Sequence, residues 1–304
     1  MATTTTADVR LSALPAASGR AGMRGVLASE FTKLRSVRST YWTVGSLIIV
    51  SVGLAAAIGA GAASDLHSNP GDKAGFDATQ TALGAFFYLG QLIIAVLGAM
   101  AITSEWSTGM IRTSLTAMPR RGTVFASKLL VFTGVALIIS LVTSFLAFFV
   151  GQAVLSSSGV SASLFHSTTV PMSAQVTPQG ATLSGSFTVT SGAVVTAVVG
   201  TALFVTVAAV IAFGLGAIIR HTAGAIASAI GLLFVLPIII QLLPRTWRFD
   251  LMRFFPDAAG RALSATVGPP DVHLWSAWPE FGVAVIWAAV LVGVGAWLFR
   301  KRDA

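Results

Sequence analysis

The sequence predicts an all-α membrane protein with six transmembrane helices, preceded by an amphipathic helix that lies at the membrane interface. Of its 304 residues, 55% are hydrophobic and 10% are charged, and the mean hydropathy is +0.83. Soluble domains carry about 25% charged residues. Six apolar runs each come close to the roughly 20 residues that a helix needs to cross a bilayer. They lie at about residues 42–63, 81–104, 124–155, 192–218, 223–243 and 281–299.

Two segments precede the first apolar run. Residues 1–22 are rich in Thr, Ala and Ser and lack apolar periodicity, which predicts a disordered cytoplasmic tail. The six-span domain then occupies residues 23–304. Its first 16 residues, 23–38, place their apolar side chains on one arc of a helix and lead directly into the first span, as is typical of an interfacial helix. Glu30 falls in the middle of that apolar arc. It either pairs with Lys33 one turn later or bonds a basic group on another segment.

The distribution of basic residues predicts the orientation. With both termini inside the cell, the inner side holds 14 of the 19 Lys and Arg residues and the outer side holds 5. This bias is typical of cytoplasmic loops and agrees with an even number of spans. The same bias explains the net charge of +8, so we expect contact with the lipid bilayer and no nucleic-acid partner.

A polar, basic hairpin at residues 102–128 joins the second and third runs. We expect a short helix at residues 108–117 within it, and this hairpin faces the cytoplasm. Glu105 lies at the carboxyl end of the second span, where the helix dipole disfavours an anion. It should therefore have a basic partner, although a solvated glutamate without a specific partner is the alternative. The candidate partners are Arg112 of the hairpin and Lys33 or Arg35 of the interfacial helix.

The two longer outer segments differ in composition. Residues 156–191 contain no charged residue and many Ser, Thr and Gly residues, which predicts a flexible or loosely packed loop. Residues 244–280 mix aromatic and charged side chains beside a span. This mixture predicts a helix at the outer interface, with a loop anchored by aromatic residues as an equal alternative.

The sequence offers no catalytic group, metal ligand set or cofactor site. It has no cysteine, its four histidines lie far apart, and it contains neither an HExxH nor a GxxxxGK[ST] motif. Deep inside the spans only Gln91 and Gln241 interrupt the apolar runs. Each is interpreted first as a hydrogen bond between helices, and otherwise as a ligand for a transported substrate.

Three segments together resemble the type-2 ABC transporter permeases, of the actinobacterial kind. They are SEFTKLRSVRSTYW, ITSEWSTGMIRTSLTAMPRRGTVFASK and LLPRTWRFDLMRFFPDAAG. The resemblance covers nearly the whole chain after residue 22. It implies the type-2 ABC exporter fold in the plasma membrane, and a six-span subunit that forms a homodimer or a heterodimer with a second permease. Two separate ATP-binding cassette subunits would bind the ATP and Mg.

The resemblance also implies where the ATPase docks. In that family the interfacial helix and a short coupling helix between spans two and three contact the ATPase. In this chain the corresponding candidates are Glu30, Lys33, Arg35, Glu105, Arg112, Arg120 and Arg121, with Gln91 and Gln241 in the substrate pathway. The expected function is export of a hydrophobic or amphipathic substrate. A membrane interaction or signalling subunit that transports nothing is the alternative, and a membrane enzyme is the least favoured class.

Overall fold

The computed structural model describes residues 23–111, 121–175, 182–267 and 277–301. Within these residues, six helices are long and apolar enough to cross a membrane, which confirms the predicted number of spans. An additional helix, α1 (Met23–Ser36), precedes them. The spans are α2 (Arg38–Ser68), α3 (Ala78–Ser107), α4 (Arg121–Leu155), α5 (Ser191–Ile219), α6 (Thr222–Gln241) and α9 (Ala277–Lys301).

The bundle has two ends, which we name by their non-spanning elements. The α1 end carries α1, residues 108–111 after α3 and the short turn between α5 and α6. The opposite end carries a β-hairpin of two strands, β1 (Thr168–Gln175) and β2 (Thr182–Val189), and we call it the hairpin end. This β-hairpin is distinct from the basic hairpin predicted at residues 102–128. The hairpin end also carries two short helices, α7 (Arg245–Met252) and α8 (Pro256–Ser264).

A single extended residue separates α1 from the first span. Val37 has φ −83° and ψ 116°, so the helical hydrogen-bond ladder is interrupted there and α2 begins at the next residue. On α1, Val26 and Glu30 are buried one turn apart, whereas Phe31 is 50% exposed. The predicted amphipathic helix therefore exists and ends two residues earlier than expected.

Helix α5 lies at the centre of the bundle, where it packs against α3, α4 and α9. Phe213 of α5 stacks on Phe132 at 5.5 Å between ring centroids, and Phe125 contacts both Phe213 and Phe299. On the α3 side the two backbones touch, because a Cβ atom on Gly98 would overlap the carbonyl oxygen of Ala209. Small residues at such contacts allow membrane helices to approach closely.

Two spans contain a π-helical turn. In α3 the turn is Phe86–Gly90, and in α6 it is Gly231–Val235. Pro237 explains the second turn, because proline has no N–H group with which to bond the carbonyl of Leu233 four residues earlier. π-Helical turns occur frequently at functional sites.

The segment between α4 and α5 differs from its prediction. The expectation of a flexible or loosely packed loop was wrong for the described residues, because β1 and β2 form an antiparallel hairpin there. Thr168 lies opposite Val189, and Gln175 lies opposite Thr182. Val170 and Val189 are buried in an apolar cluster with Val194. Thr and Val favour strands, and this apolar contact holds the hairpin against the bundle.

For the segment between α6 and α9, an interfacial helix and a loop anchored by aromatic residues were equal alternatives. The described part of this segment, up to residue 267, forms two short helices. Helix α7 starts after Pro244, and α8 has Pro256 in its first turn, a position that suits proline. Helix α8 is the more deeply buried of the two, with Ala258, Ala259 and Gly260 enclosed.

Asp77 attaches the residues after α8 to the start of α3. Its Oδ1 atom accepts hydrogen bonds from the backbone N–H of Gln80, at 2.8 Å, and from Thr266 Oγ1, at 2.9 Å. Its Oδ2 atom accepts from the backbone N–H groups of Thr266 and Val267. One carboxylate therefore caps a membrane span and also fixes the chain that follows α8.

Replacing Asp77 with alanine should lower the free energy of unfolding by about 2–4 kcal/mol, because it removes several hydrogen bonds to one charged acceptor. Denaturant unfolding of the purified protein in detergent measures this loss. Asp72→Ala is the matched control, because Asp72 lies exposed in the preceding turn. Equal stabilities of the two variants would show that the Asp77 contacts do not hold this end together.

Candidate functional site: an ionic cluster at the α1 end

Four charged side chains from three helices meet at the α1 end. Lys128 of α4 lies at the centre, with its Nζ atom 2.5 Å from Glu30 Oε2 and 2.7 Å from Glu105 Oε1. Lys33 Nζ lies 2.7 Å from Glu30 Oε1 and 3.2 Å from Glu105 Oε1. We call Glu30, Lys33, Glu105 and Lys128 the ionic cluster. It connects the interfacial helix to the ends of two spans.

The positions of these residues on their helices explain why they meet. Glu30 lies on the face of α1 that packs against α4, and Glu105 lies in the last turn of α3. Lys128 lies on the buried side of α4, one turn before Phe132. Only 3% of Glu30, 5% of Glu105 and 8% of Lys128 is exposed. Charges buried to this degree are stable when they are paired, and the cluster holds two carboxylates against two ammonium groups.

The two members of the ionic cluster on α1, Glu30 and Lys33, stay charged at neutral pH. Burial alone would raise the pKa of Glu30, but the adjacent Lys128 and Lys33 outweigh it, so the pKa of Glu30 lies below its usual value. Burial would lower the pKa of Lys33, but its contacts with Glu30 and Glu105 raise that pKa above the usual value. Glu30 and Lys33 therefore carry opposite charges under physiological conditions.

The contribution of Glu30 to stability should disappear only in acid. Because its folded-state pKa is depressed, this contribution is complete above the ordinary carboxyl pKa and is lost as the pH falls through the folded-state pKa. We expect the difference in unfolding temperature between the wild type and Glu30→Gln to be constant from about pH 6 to 8 and to shrink below about pH 4. Thermal unfolding across that range tests this. A difference that already shrinks near pH 6 would contradict the depressed pKa.

The structure brings together some of the residues predicted for this site. Lys33 is a partner of Glu105, as predicted, and Glu30 satisfies both of its alternatives, since it binds Lys33 and a basic group of another segment. Arg35 is exposed on α1 and Arg121 is the first residue of α4. Arg112 and Arg120 lie outside the described residues, as does most of the expected helix at residues 108–117.

Sequence reasoning did not include Lys128 in the site. It was counted only as one more basic residue on the inner side, although it lies within the third apolar run. The available signal was its spacing, because Phe125 and Phe132 flank it at helical intervals and place it on the same buried face. A lysine on such a face needs an acidic partner.

A cavity of about 220 Å³ lies beside the ionic cluster. Glu30, Lys33, Glu105 and Lys128 all line it on one side. Its remaining wall is largely apolar, with Leu34, Val37, Leu97, Met100 and Phe132. The cluster therefore borders a space that extends from the interfacial helix towards the interior of the bundle.

A second cavity, of about 330 Å³, lies near the hairpin end between α3, α6 and α8. Gln241 lines it together with Asp257 and Arg261. Gln91 does not line it. Its side chain is fully buried, and neither amide atom has a hydrogen-bond partner in the part of the chain that the structure describes.

Neither cavity has the groups that a metal ion would need. Across residues 23–111, 121–175, 182–267 and 277–301, no three His, Cys, Asp or Glu side chains are grouped so that they could hold a metal ion. The charged groups at the α1 end instead form ion pairs with one another. Their arrangement is suited to holding helices together and to transmitting displacement between them.

Comparison with known proteins identifies the family. The model for the family described as "ABC-2 family transporter protein" matches residues 26–184. This match covers α1 to α4 with their connecting segments, and it includes all four residues of the ionic cluster. None of the curated proteins compared with the chain matches it. With six spans and a match over more than half of its length, the chain belongs to the ABC-2 transporter family as a type-2 ABC transporter permease, a membrane subunit that is not itself catalytic.

Proposed function

We propose that the chain is the membrane-spanning subunit of an ATP-driven exporter, in which α1 receives the movement of a separate ATP-binding cassette subunit. The observation that carries this proposal is the ionic cluster. It connects α1 to α3 through Glu105 and to α4 through Lys128. A displacement of α1 by a bound partner would therefore move both spans, because separating the buried charges is energetically costly.

The exposed side of α1 is the proposed contact for the ATPase. Phe31 and Arg35 are exposed there, while Glu30 and Val26 face the bundle. An exposed aromatic group next to an arginine is typical of protein interfaces. The segment that contains Arg112 and Arg120, with Arg121 at the start of α4, would contribute the remainder of this surface, and ATP and Mg would be bound by the partner.

In the proposed orientation the protein lies in the plasma membrane, with the α1 end and both termini in the cytoplasm. The support is the excess of Lys and Arg on that side, 14 of the 19 in the chain. Residues 1–22 would be a cytoplasmic tail and residues 23–304 the permease domain. A second permease subunit, identical or different, would complete the pathway. The exposed apolar faces of the spans that do not contact this second subunit would contact lipid.

The proposed pathway runs from the cavity at the α1 end to the cavity near the hairpin end. Both cavities have largely apolar walls, which favours a hydrophobic or amphipathic substrate. Gln241 lines the second cavity and can bind substrate directly. Gln91, buried without a partner among the described residues, would take part only after a rearrangement of α3.

Co-purification from native membranes tests the proposal. We expect the tagged permease to retain an ATP-binding cassette subunit, and Arg35→Glu to weaken that association about tenfold because charge complementarity at the interface is reversed. Arg253→Glu is the control, because Arg253 lies next to α7 at the opposite end. Loss of all ATP-binding subunits from the intact wild-type protein would contradict the proposal and favour a subunit that only docks a regulator.

A further inference from the structure

The cavity near the hairpin end is lined by residues of two π-helical turns and of the short helix α8. Tyr88 and Leu89 come from the π-helical turn of α3, and Leu233 and Phe234 come from the π-helical turn of α6. Helix α8 supplies Asp257 and Arg261. The two π-helical turns thus project side chains into one cavity, and such turns recur where proteins bind ligands.

Asp257 holds the Arg261 side chain in place. The Arg261 Nε atom donates a hydrogen bond to Asp257 Oδ2 at 2.7 Å, one turn earlier on α8. Both side chains line the cavity, and the Asp257 side chain is 3% exposed whereas the Arg261 side chain is 28% exposed, so the guanidinium is the more accessible of the two. The guanidinium carbon also lies 5.8 Å from the centre of the Tyr88 ring. The side chain is therefore oriented before any ligand arrives.

The Asp257 contact uses only one of the donors of Arg261. Among the described residues the hydrogen bond to Asp257 is formed by Nε, which leaves the two terminal amino groups available to a ligand. Two parallel N–H donors of a guanidinium match the oxygens of a carboxylate or phosphate. The Gln241 amide lines the same cavity and offers a further polar contact.

The remaining wall of the cavity is apolar. Leu233, Phe234, Pro237 and Ile238 of α6 supply it, with Leu89 of α3 opposite. Ile239 of the same helix and Leu242, which directly follows the helix, are exposed. A small inorganic anion would leave these surfaces uncovered, whereas an alkyl chain would bury them.

We propose that this cavity binds an amphiphile with an acidic head group, a carboxylate or a phosphate, through the terminal amino groups of Arg261, with its alkyl chain against α6. This inference rests on the proposed export function, since it names the class of substrate. Asp257 acts as a positioning residue that fixes the guanidinium.

Binding to the purified permease, in nanodiscs of zwitterionic phosphatidylcholine and without any ATPase, tests this inference. The probes are dodecyl phosphate, dodecanol, dodecyltrimethylammonium and inorganic phosphate. We expect saturable binding of dodecyl phosphate that Arg261→Gln weakens about ten- to a hundredfold, because hydrogen bonds to a charged group are lost. Arg261→Lys should restore part of the affinity, and Arg253→Gln, outside the cavity, should leave it unchanged.

The other probes test whether the acidic head group and the alkyl chain are both needed for binding. Equal binding of dodecanol or the ammonium amphiphile, or an Arg261→Gln variant that is folded and binds dodecyl phosphate normally, would overturn the inference. Displacement of dodecyl phosphate by millimolar inorganic phosphate would overturn it as well, because the alkyl chain would then contribute nothing. Since no ATPase is present, failure here leaves co-purification with an ATP-binding subunit unaffected, and failure of co-purification leaves this binding unaffected.

Discussion

Replacing Lys128 with methionine should reduce the free energy of unfolding by about 3–5 kcal/mol, the usual effect of removing one partner from a buried group of charges. Methionine fills a similar volume, so the loss reports the charge and not a cavity. The variant would hold two buried carboxylates, Glu30 and Glu105, against the single ammonium of Lys33. Denaturant unfolding in detergent measures the loss, and α1 should become accessible to protease.

A double-mutant cycle separates charge balance from other effects of the substitution. Glu30→Gln combined with Lys128→Met leaves Glu105 with Lys33, so the cluster again holds one acid and one base. The double variant should therefore be more stable than Lys128→Met alone, although it carries one more substitution. Arg38→Met, at an exposed position at the start of α2, should change stability by less than about 0.5 kcal/mol. Additive losses in the cycle would show that Glu30 and Lys128 do not interact.

Gly98→Ala should lower the free energy of unfolding by about 1–3 kcal/mol, as expected for overpacking a close helix contact. The added methyl group would overlap the carbonyl oxygen of Ala209, and a backbone atom cannot move away as a flexible side chain can. Helices α3 and α5 would have to separate. The effect must outweigh the gain in helix propensity, about 1 kcal/mol, that alanine has over glycine.

Gly84 provides the matched control on the same helix. No atom lies within 4 Å of a Cβ atom added there, so Gly84→Ala should be neutral or slightly stabilising. Unfolding of the two variants side by side isolates the contact between α3 and α5. If Gly98→Ala were as stable as Gly84→Ala, the backbones would not approach as closely as described.

The fold was largely predictable from the sequence, because the length of each apolar run reflects the thickness of the bilayer directly. The number of spans and the existence of α1 needed no other information. The hairpin of β1 and β2 was missed, although β2 (TLSGSFTV) alternates polar and apolar residues as a strand does. Its many Ser, Thr and Gly residues favoured a loop, and the strands are held by contact with α5 residues such as Val194. Tertiary contact decided the structure of that segment.

The site was predictable only in part, because its residues meet through contacts between helices that are distant along the chain. A charge in an unfavourable position is visible in a sequence. Glu30 was identified because it lies in the apolar arc of α1, and Glu105 because it lies at the carboxyl end of a span, where the helix dipole disfavours an anion. The residue that satisfies both of them, Lys128, lies 98 and 23 positions away along the chain. Its role depends on the packing of α1 against α4. The cavity near the hairpin end likewise depends on two π-helical turns, and local sequence gave a cause, Pro237, for only one of them.

Site-specific photo-crosslinking tests the central claim, that α1 is where a separate ATPase acts on this permease. A photoreactive amino acid would replace Ala28, Phe31 or Arg35 on the exposed side of α1, with exposed Leu251 of α7 as the control at the opposite end. After irradiation of intact cells, we expect adducts with an ATP-binding cassette subunit from one or more α1 positions and none from position 251. Adducts from position 251 alone, or none from α1 in cells that contain the ATP-binding subunit, would contradict the claim.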